Sequence, residues 1–167
     1  MSLSSPLLLH QCAIALGSNL GDSQAILAAA LLALAQTPGI ELQRHSRWYQ
    51  TTAIGPTQPD YLNGCAILQV IHSPDQLLGI LLQLEQRFGR VRRQRWGPRS
   101  LDLDLLLYDD LILSSPDLEI PHPRMAARAF VLVPLAEIAP GWIEPRSGRS
   151  IAALAKAVDC RGIIKIL

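Results

Sequence analysis

The sequence predicts an α+β domain with the element order β-α-β-β-α-β, and three observations carry that expectation. A short apolar run, His10 to Leu16, ends at Gly17-Ser18-Asn19 and precedes an uncharged alanine- and leucine-rich stretch, Ala25 to Ala35. A second helical segment, Ser73 to Phe88, has both of its ends marked. Leu101 to Tyr108 closes the pattern as a leucine-rich strand without glycine or proline.

The first strand turns at Gly17-Ser18-Asn19, and Asp22 or Ser23 can cap the helix that follows. That helix should run to about Gln36, where Thr37-Pro38-Gly39 stops it. Ile40 to Thr52 alternates apolar and polar residues and reads as one second strand. Residues 53–60 contain Gly55, Pro56 and Pro59 and form a loop; Tyr61 to Ile71 is the third strand. Ser73 caps the second helix, Pro74 suits its first turn, Gly89 ends it, and Leu77, Leu81, Leu84 and Phe88 make its apolar stripe. Residues 90–100 are a second long loop before the fourth strand. This order is that of the ferredoxin-like plan, an antiparallel sheet with two helices on one face. Beyond it, irregular strands around Leu111 to Ile120 and helices near Val131 to Ile138 and Ile151 to Ala157 are expected.

With 167 residues, 49% of them apolar, the chain should form one domain, residues 1–167, with a core that needs no staples. A net charge of +1 gives no global reason to expect nucleic acid or an anionic membrane as partner. Cys12, Cys65 and Cys160 lack metal-ligand spacing. Together with the absence of a leader-like N-terminus they favour a cytoplasmic protein with reduced thiols. Arginine is unevenly placed: Arg87, Arg90, Arg92, Arg93, Arg95 and Arg99 fall within thirteen residues, and arginine is the side chain suited to bidentate phosphate contact.

The fourth strand carries Asp102 and Asp104. At i and i+2 they share one face, roughly 6.6 Å apart along the chain, while Leu101, Leu103, Leu105 and Leu107 take the other. Two like charges beside a core are costly without something positive between them. A divalent metal answers that, and arginine is the other answer. Arg95 and Arg99 flank Trp96 on a segment bent by Gly97-Pro98. Carboxylates for a metal, arginines for phosphate and an exposed tryptophan point to metal-dependent chemistry on a nucleotide.

Several ordered motifs resemble the hydroxymethyldihydropterin pyrophosphokinases of folate synthesis. They are Gly17-Ser18-Asn19-Leu20-Gly21, then Tyr49-x-Thr51 with Gly55-Pro56, Gln58 and Tyr61-Leu62-Asn63, then Glu85 with Gly89-Arg90-Val91-Arg92 and the run Arg95 to Asp104, then Pro121-His122-Pro123-Arg124-Met125 with Arg128 and Phe130. The match extends from about residue 13 to 140. The resemblance implies transfer of the β,γ-pyrophosphoryl group of ATP to the hydroxymethyl oxygen of 6-hydroxymethyl-7,8-dihydropterin, leaving AMP. It implies that Asp102 and Asp104 hold two Mg²⁺ ions and that Arg90 and Arg99 neutralise charge on the transferred group. Arg92, Trp96, Leu105, His122 and Arg128 resemble ATP contacts. Tyr61 and Phe130 would sandwich the pterin, Thr51, Ile54 and Asn63 would line its hydrogen-bonding edge, and Trp96 would close over it. The family often has proline where Ala53 stands, which implies a looser 53–60 loop here. No obligate protein partner is evident.

Two other classes compete. A single-stranded RNA-binding module shares the element order, but its aromatic signature on the central strands is missing, and two aspartates would repel phosphate without metal. A regulatory small-molecule-binding domain would keep the fold without turnover; the intact carboxylate pair and Arg90 with Arg99 argue against it.

Overall fold

The computed structural model describes residues 6–89 and 97–167. Strand β1 (His10–Ser18) leads into helix α1 (Ser23–Ala35), whose first turn is capped by the Asp22 carboxylate accepting the Ala25 N–H. β2 (Ile40–His45), β3 (Tyr49–Thr51) and β4 (Tyr61–Val70) follow. Helix α2 (Pro74–Arg87) opens with a reciprocal capping box between Ser73 and Gln76 and ends at Gly89, whose φ of 80° suits glycine. The chain continues through β5 (Asp102–Tyr108), the small hairpin β6 (Leu113–Ser114) and β7 (Glu119–Ile120), then α3 (Ala129–Ile138). A second hairpin, β8 (Ile143–Glu144) with β9 (Arg149–Ser150), precedes α4 (Ile151–Ala157) and the final strand β10 (Ile163–Ile166).

The main sheet is antiparallel throughout, in the order β10-β3-β4-β1-β5, with β2 also paired to β4. The expected single strand over 40–52 is two. His45 pairs with Ala66 and Tyr49 with Asn63, so four steps on one strand face three on the other. Ser46 fills the mismatch: its N–H donates to the Cys65 carbonyl and its hydroxyl accepts the Cys65 N–H. The Trp48 ring then lies on Gly64, where a Cβ would come within 2.5 Å of it.

Apolar packing covers both faces. One core joins Ile14 and Leu16 of β1 to Leu27 and Leu34 of α1 and Leu77 and Leu81 of α2; the other joins Ala13, Cys65 and Leu106 to Val131 and Leu135 of α3 and Leu154 of α4. The two helices expected on one face therefore have two more opposite them. One expectation for β5 fails. Ala13 pairs with Leu107 but Ile14 with Leu105, so Leu106 is an extra residue, and both Leu106 and Leu107 pack toward α3. The bulge ends the alternation that would have put Leu107 beside Leu105. Among the described residues no helix is long and apolar enough to cross a membrane.

Candidate active site

Antiparallel register builds the site. Directly opposed residues share a face, and one row across the sheet runs Tyr49, Asn63, Gly17, Asp102; the next runs Cys65, Ala15, Asp104. The carboxylate pair and the Asn63 amide thus stand on the α3-facing surface, separated only by Gly17 and Ala15. A Cβ at Gly17 would lie 2.8 Å from Asn63 Oδ1, so that oxygen already leans over the glycine. Asn63 Nδ2 donates to Thr51 Oγ1, both residues being buried.

A cleft of about 1280 Å³ opens above this row. Tyr61, Ile54, Thr51 and Asn63 line one side, and Phe130, at the start of α3, reaches in from the helix layer. Arg99, Asp102, Asp104, His122 and Arg128 line the other side. Leu105 belongs to the same lining although its side chain packs in the α1/α2 core, because the cleft bends around the outer edge of β5. Arg90, Arg92 and Trp96, together with Arg93 and Arg95, lie outside the described residues. Every other residue expected at the site is brought to this cleft.

Arg99 and His122 face the two carboxylates. Arg99 Nη1 is 3.1 Å from Asp102 Oδ2, and His122 Nε2 is 4.0 Å from Asp104 Oδ2. The Arg124 N–H donates to His122 Nδ1, which leaves Nε2 to carry the proton of the neutral ring and turn it toward Asp104. Burial holds the His122 imidazole below its ordinary pKa, and the charges of Arg128 and Arg124 add to that; Asp102 and Glu119 oppose it more weakly. The contact with Asp104 is therefore that of a neutral ring near neutrality. Burial also lowers Arg128, with Asp104 the largest opposing influence. The Arg128 guanidinium rests 5.4 Å from the centre of the Phe130 ring, a cation–π distance.

Among the described residues no three His, Cys, Asp or Glu side chains are placed to share a metal. A metal at Asp102 and Asp104 would draw two carboxylates from the protein and its remaining oxygens from elsewhere, a donor set that suits magnesium beside phosphate and not a closed structural site.

Three residues shape the site more than their sequence positions indicate. Asn19, buried after the end of β1, exchanges two hydrogen bonds with Arg99: Asn19 N–H donates to the Arg99 carbonyl at 3.0 Å and Arg99 N–H donates to Asn19 Oδ1 at 2.8 Å. Its amide nitrogen also donates to Gln58 Oε1 and the Pro59 carbonyl, each at 2.9 Å. The segment read as a turn thus joins the 53–60 loop to the start of β5. Gln58 is the second such residue, and Glu85, buried in α2, is the third: it accepts the Leu103 N–H at 2.8 Å. The bonds span 18 to 80 residues of chain, so no local pattern announces the partners.

This is a mixed protein of helices and antiparallel sheet, with a charge-paired cleft over the ends of its central strands. The chain belongs to the 7,8-dihydro-6-hydroxymethylpterin-pyrophosphokinase (HPPK) family, whose profile matches residues 13–140. A 2-amino-4-hydroxy-6-hydroxymethyldihydropteridine pyrophosphokinase of Synechocystis sp. is 52% identical over 154 residues, covering 92% of this chain and 79% of the relative. One of the same description from Pseudomonas aeruginosa is 43% identical, covering 92% and 94%. The fold resembles that of Plasmodium falciparum HPPK-DHPS crystallised with pteroate, with a TM-score of 0.72 at 12% identity; the match covers 92% of this chain and 43% of that longer one.

Proposed function

We propose that this protein transfers pyrophosphate from ATP to 6-hydroxymethyl-7,8-dihydropterin, giving the pterin diphosphate and AMP, a step of folate biosynthesis. The observation that carries the reading is the row Asn63, Gly17, Asp102. It sets an amide suited to a heterocycle edge beside a carboxylate pair suited to magnesium, with only a glycine between Asn63 and Asp102 in that row.

In this reading Asp102 and Asp104 hold two Mg²⁺ ions. Bound there, magnesium neutralises the phosphates and polarises the attacking and leaving oxygens. The rest follows from the chain's own groups. Arg99, fixed through its backbone by Asn19, keeps a guanidinium at Asp102 and meets the negative charge that grows on the transferred group. Arg128, half-buried, gains from an anionic partner, because one offsets the desolvation that lowers its pKa. Neutral His122 offers its Nε2 proton to a phosphate oxygen without adding charge. Leu105 supplies apolar surface for the nucleotide base. Tyr61 and Phe130 stack on the flat pterin, while Thr51 and Asn63, already bonded to each other, present a preorganised polar edge beside Ile54. Arg90, Arg92 and Trp96 act at the same site by resemblance alone.

The architecture is read as the ferredoxin-like plan: the two halves of the second strand, β2 and β3, both lie on β4, giving the order β5-β1-β4-(β2, β3) within the core. Residues 1–167 act as one domain, supported by β10, which joins β3 in the same sheet. Three free cysteines suit a reducing cytoplasm. The test is direct. Protein incubated with ATP, Mg²⁺ and the dihydropterin should release AMP in step with pterin diphosphate. Release of ADP or of inorganic phosphate in its place overturns the reading.

A further inference from the structure

Among the described residues β5 is the last strand on its side of the sheet, so half of its backbone polar groups face outward without a described strand to pair them. One of these groups sits at a sensitive place. Leu103 lies between Asp102 and Asp104, and its N–H points away from β1. A carboxylate takes it: Glu85, in the last turn of α2, accepts the Leu103 N–H at 2.8 Å. Glu85 is only 3% exposed, yet it reaches the lining of the same cleft as the two aspartates. A buried carboxylate near two others is unfavourable on charge grounds alone. Burying it is tolerable when it holds a group that nothing else can hold, since a charge-assisted bond to backbone N–H is about twice as strong as a neutral one.

We infer that Glu85 is a positioning residue for the pyrophosphoryl-transfer site: it replaces the missing neighbouring strand at Leu103 and so fixes the peptide from which Asp102 and Asp104 project. The inference rests on the reading of those aspartates as magnesium ligands. A strand end held only by β1 could twist or fray, and two side chains set by its pleat would then diverge. The Arg99 end of the strand is held by Asn19 and the Leu103 peptide by Glu85, so the pair is clamped from both sides. Outer partners of metal ligands act in this way, by limiting how the ligands can turn.

Glu85→Gln keeps an acceptor of the same shape, and Glu85→Leu removes it. In ¹⁵N-labelled protein without nucleotide, the Leu103 amide should exchange slowly with D₂O in the wild type, and about tenfold faster in Glu85→Leu. The Mg²⁺ concentration for half-maximal binding of a non-hydrolysable ATP analogue should rise about tenfold in Glu85→Leu, while Glu85→Gln largely rescues it and pterin KM stays unchanged in both. Unchanged Leu103 exchange in Glu85→Leu, or equal loss of Mg²⁺ and pterin affinity, overturns the inference. If Glu85→Leu does not fold, Glu85→Gln decides, because exchanging carboxylate for amide must shift the Leu103 amide proton upfield; an unmoved resonance rejects the role. Wild-type protein that released no AMP would overturn the proposed function and leave the Leu103 exchange result intact, so the two failures are distinguishable.

Discussion

Gly17 needs no unusual backbone angle, and its role lies in what a side chain there would meet. Alanine at this position puts a methyl against Asn63 Oδ1 and close to the Tyr61 ring. Gly17→Ala should therefore raise pterin KM by about tenfold, the scale of one displaced hydrogen bond, and leave the melting temperature within a few degrees. Steady-state kinetics beside a thermal melt separate the two. Asp102→Asn and Asp104→Asn each keep shape and remove charge at partly buried positions. Each should lower kcat at least about a hundredfold while the circular dichroism spectrum is unchanged; a rate within about tenfold of wild type (~1.4 kcal/mol of barrier) excludes the residue as a magnesium ligand. Arg99→Ala should depress kcat more than it weakens nucleotide binding, because a fixed cation matters most where charge develops. Titrating the variant with an ATP analogue supplies the binding half of that comparison. The carboxylate pair and the arginines were readable from one strand-like run. Asn19 was not, since its partner lies 80 residues away and only folding brings the two together; Glu85, beside the apolar stripe of its helix, reads as a structural hydrogen-bond partner, and the fold supplies the Leu103 N–H as that partner.

At the level of elements, α3 is locked to the sheet by one charged cluster. Tyr49 Oη donates to Glu137 Oε2 at 2.6 Å, and Arg47 Nε donates to Glu137 Oε1 at 2.8 Å. Burial pushes the Glu137 carboxyl up, but the bonds from Tyr49 and Arg47 outweigh it, and the net result lies below the ordinary carboxylate value. A carboxyl depressed in the folded state adds stability that is fully present above the unfolded pKa and is lost as pH falls through the lower folded one. Glu137→Gln, which keeps an acceptor and loses the charge, should thus lose about 1 kcal/mol near neutrality, and its urea midpoint should converge on that of the wild type as the pH drops well below 4. Parallel midpoints across that range would reject the cluster as an acid-sensitive tie. The helices were legible because caps and apolar period agree, most clearly at Ser73 and Gly89. The break between β2 and β3 was not, because the extra residue, Ser46, sits inside a polar run, Gln43 to Arg47, that marks no boundary. β10 was missed as well: a short apolar tail becomes a strand only because β3 offers it an edge.

For the whole molecule, the α1/α2 core and the α3/α4 core carry stability on opposite faces of one sheet. Leu81 is fully buried in the α1/α2 core and does not line the cleft. Leu81→Ala should cost about 2–5 kcal/mol in urea unfolding while kcat, measured well below the transition, stays near wild type. The α+β class was legible in the sequence as a whole, but the second helix layer was not expected to cover the opposite face, because single elements do not announce which side they pack on. The extra residue Leu106 has a consequence for how the chain finds this state. A slip of β5 by one residue against β1 would turn Asp102 and Asp104 into the leucine-rich layer and Leu103 out to water, a doubly unfavourable exchange. The wrong alignment is thus penalised by the two carboxylates proposed to hold magnesium, so groups placed for chemistry also discriminate against a misaligned strand.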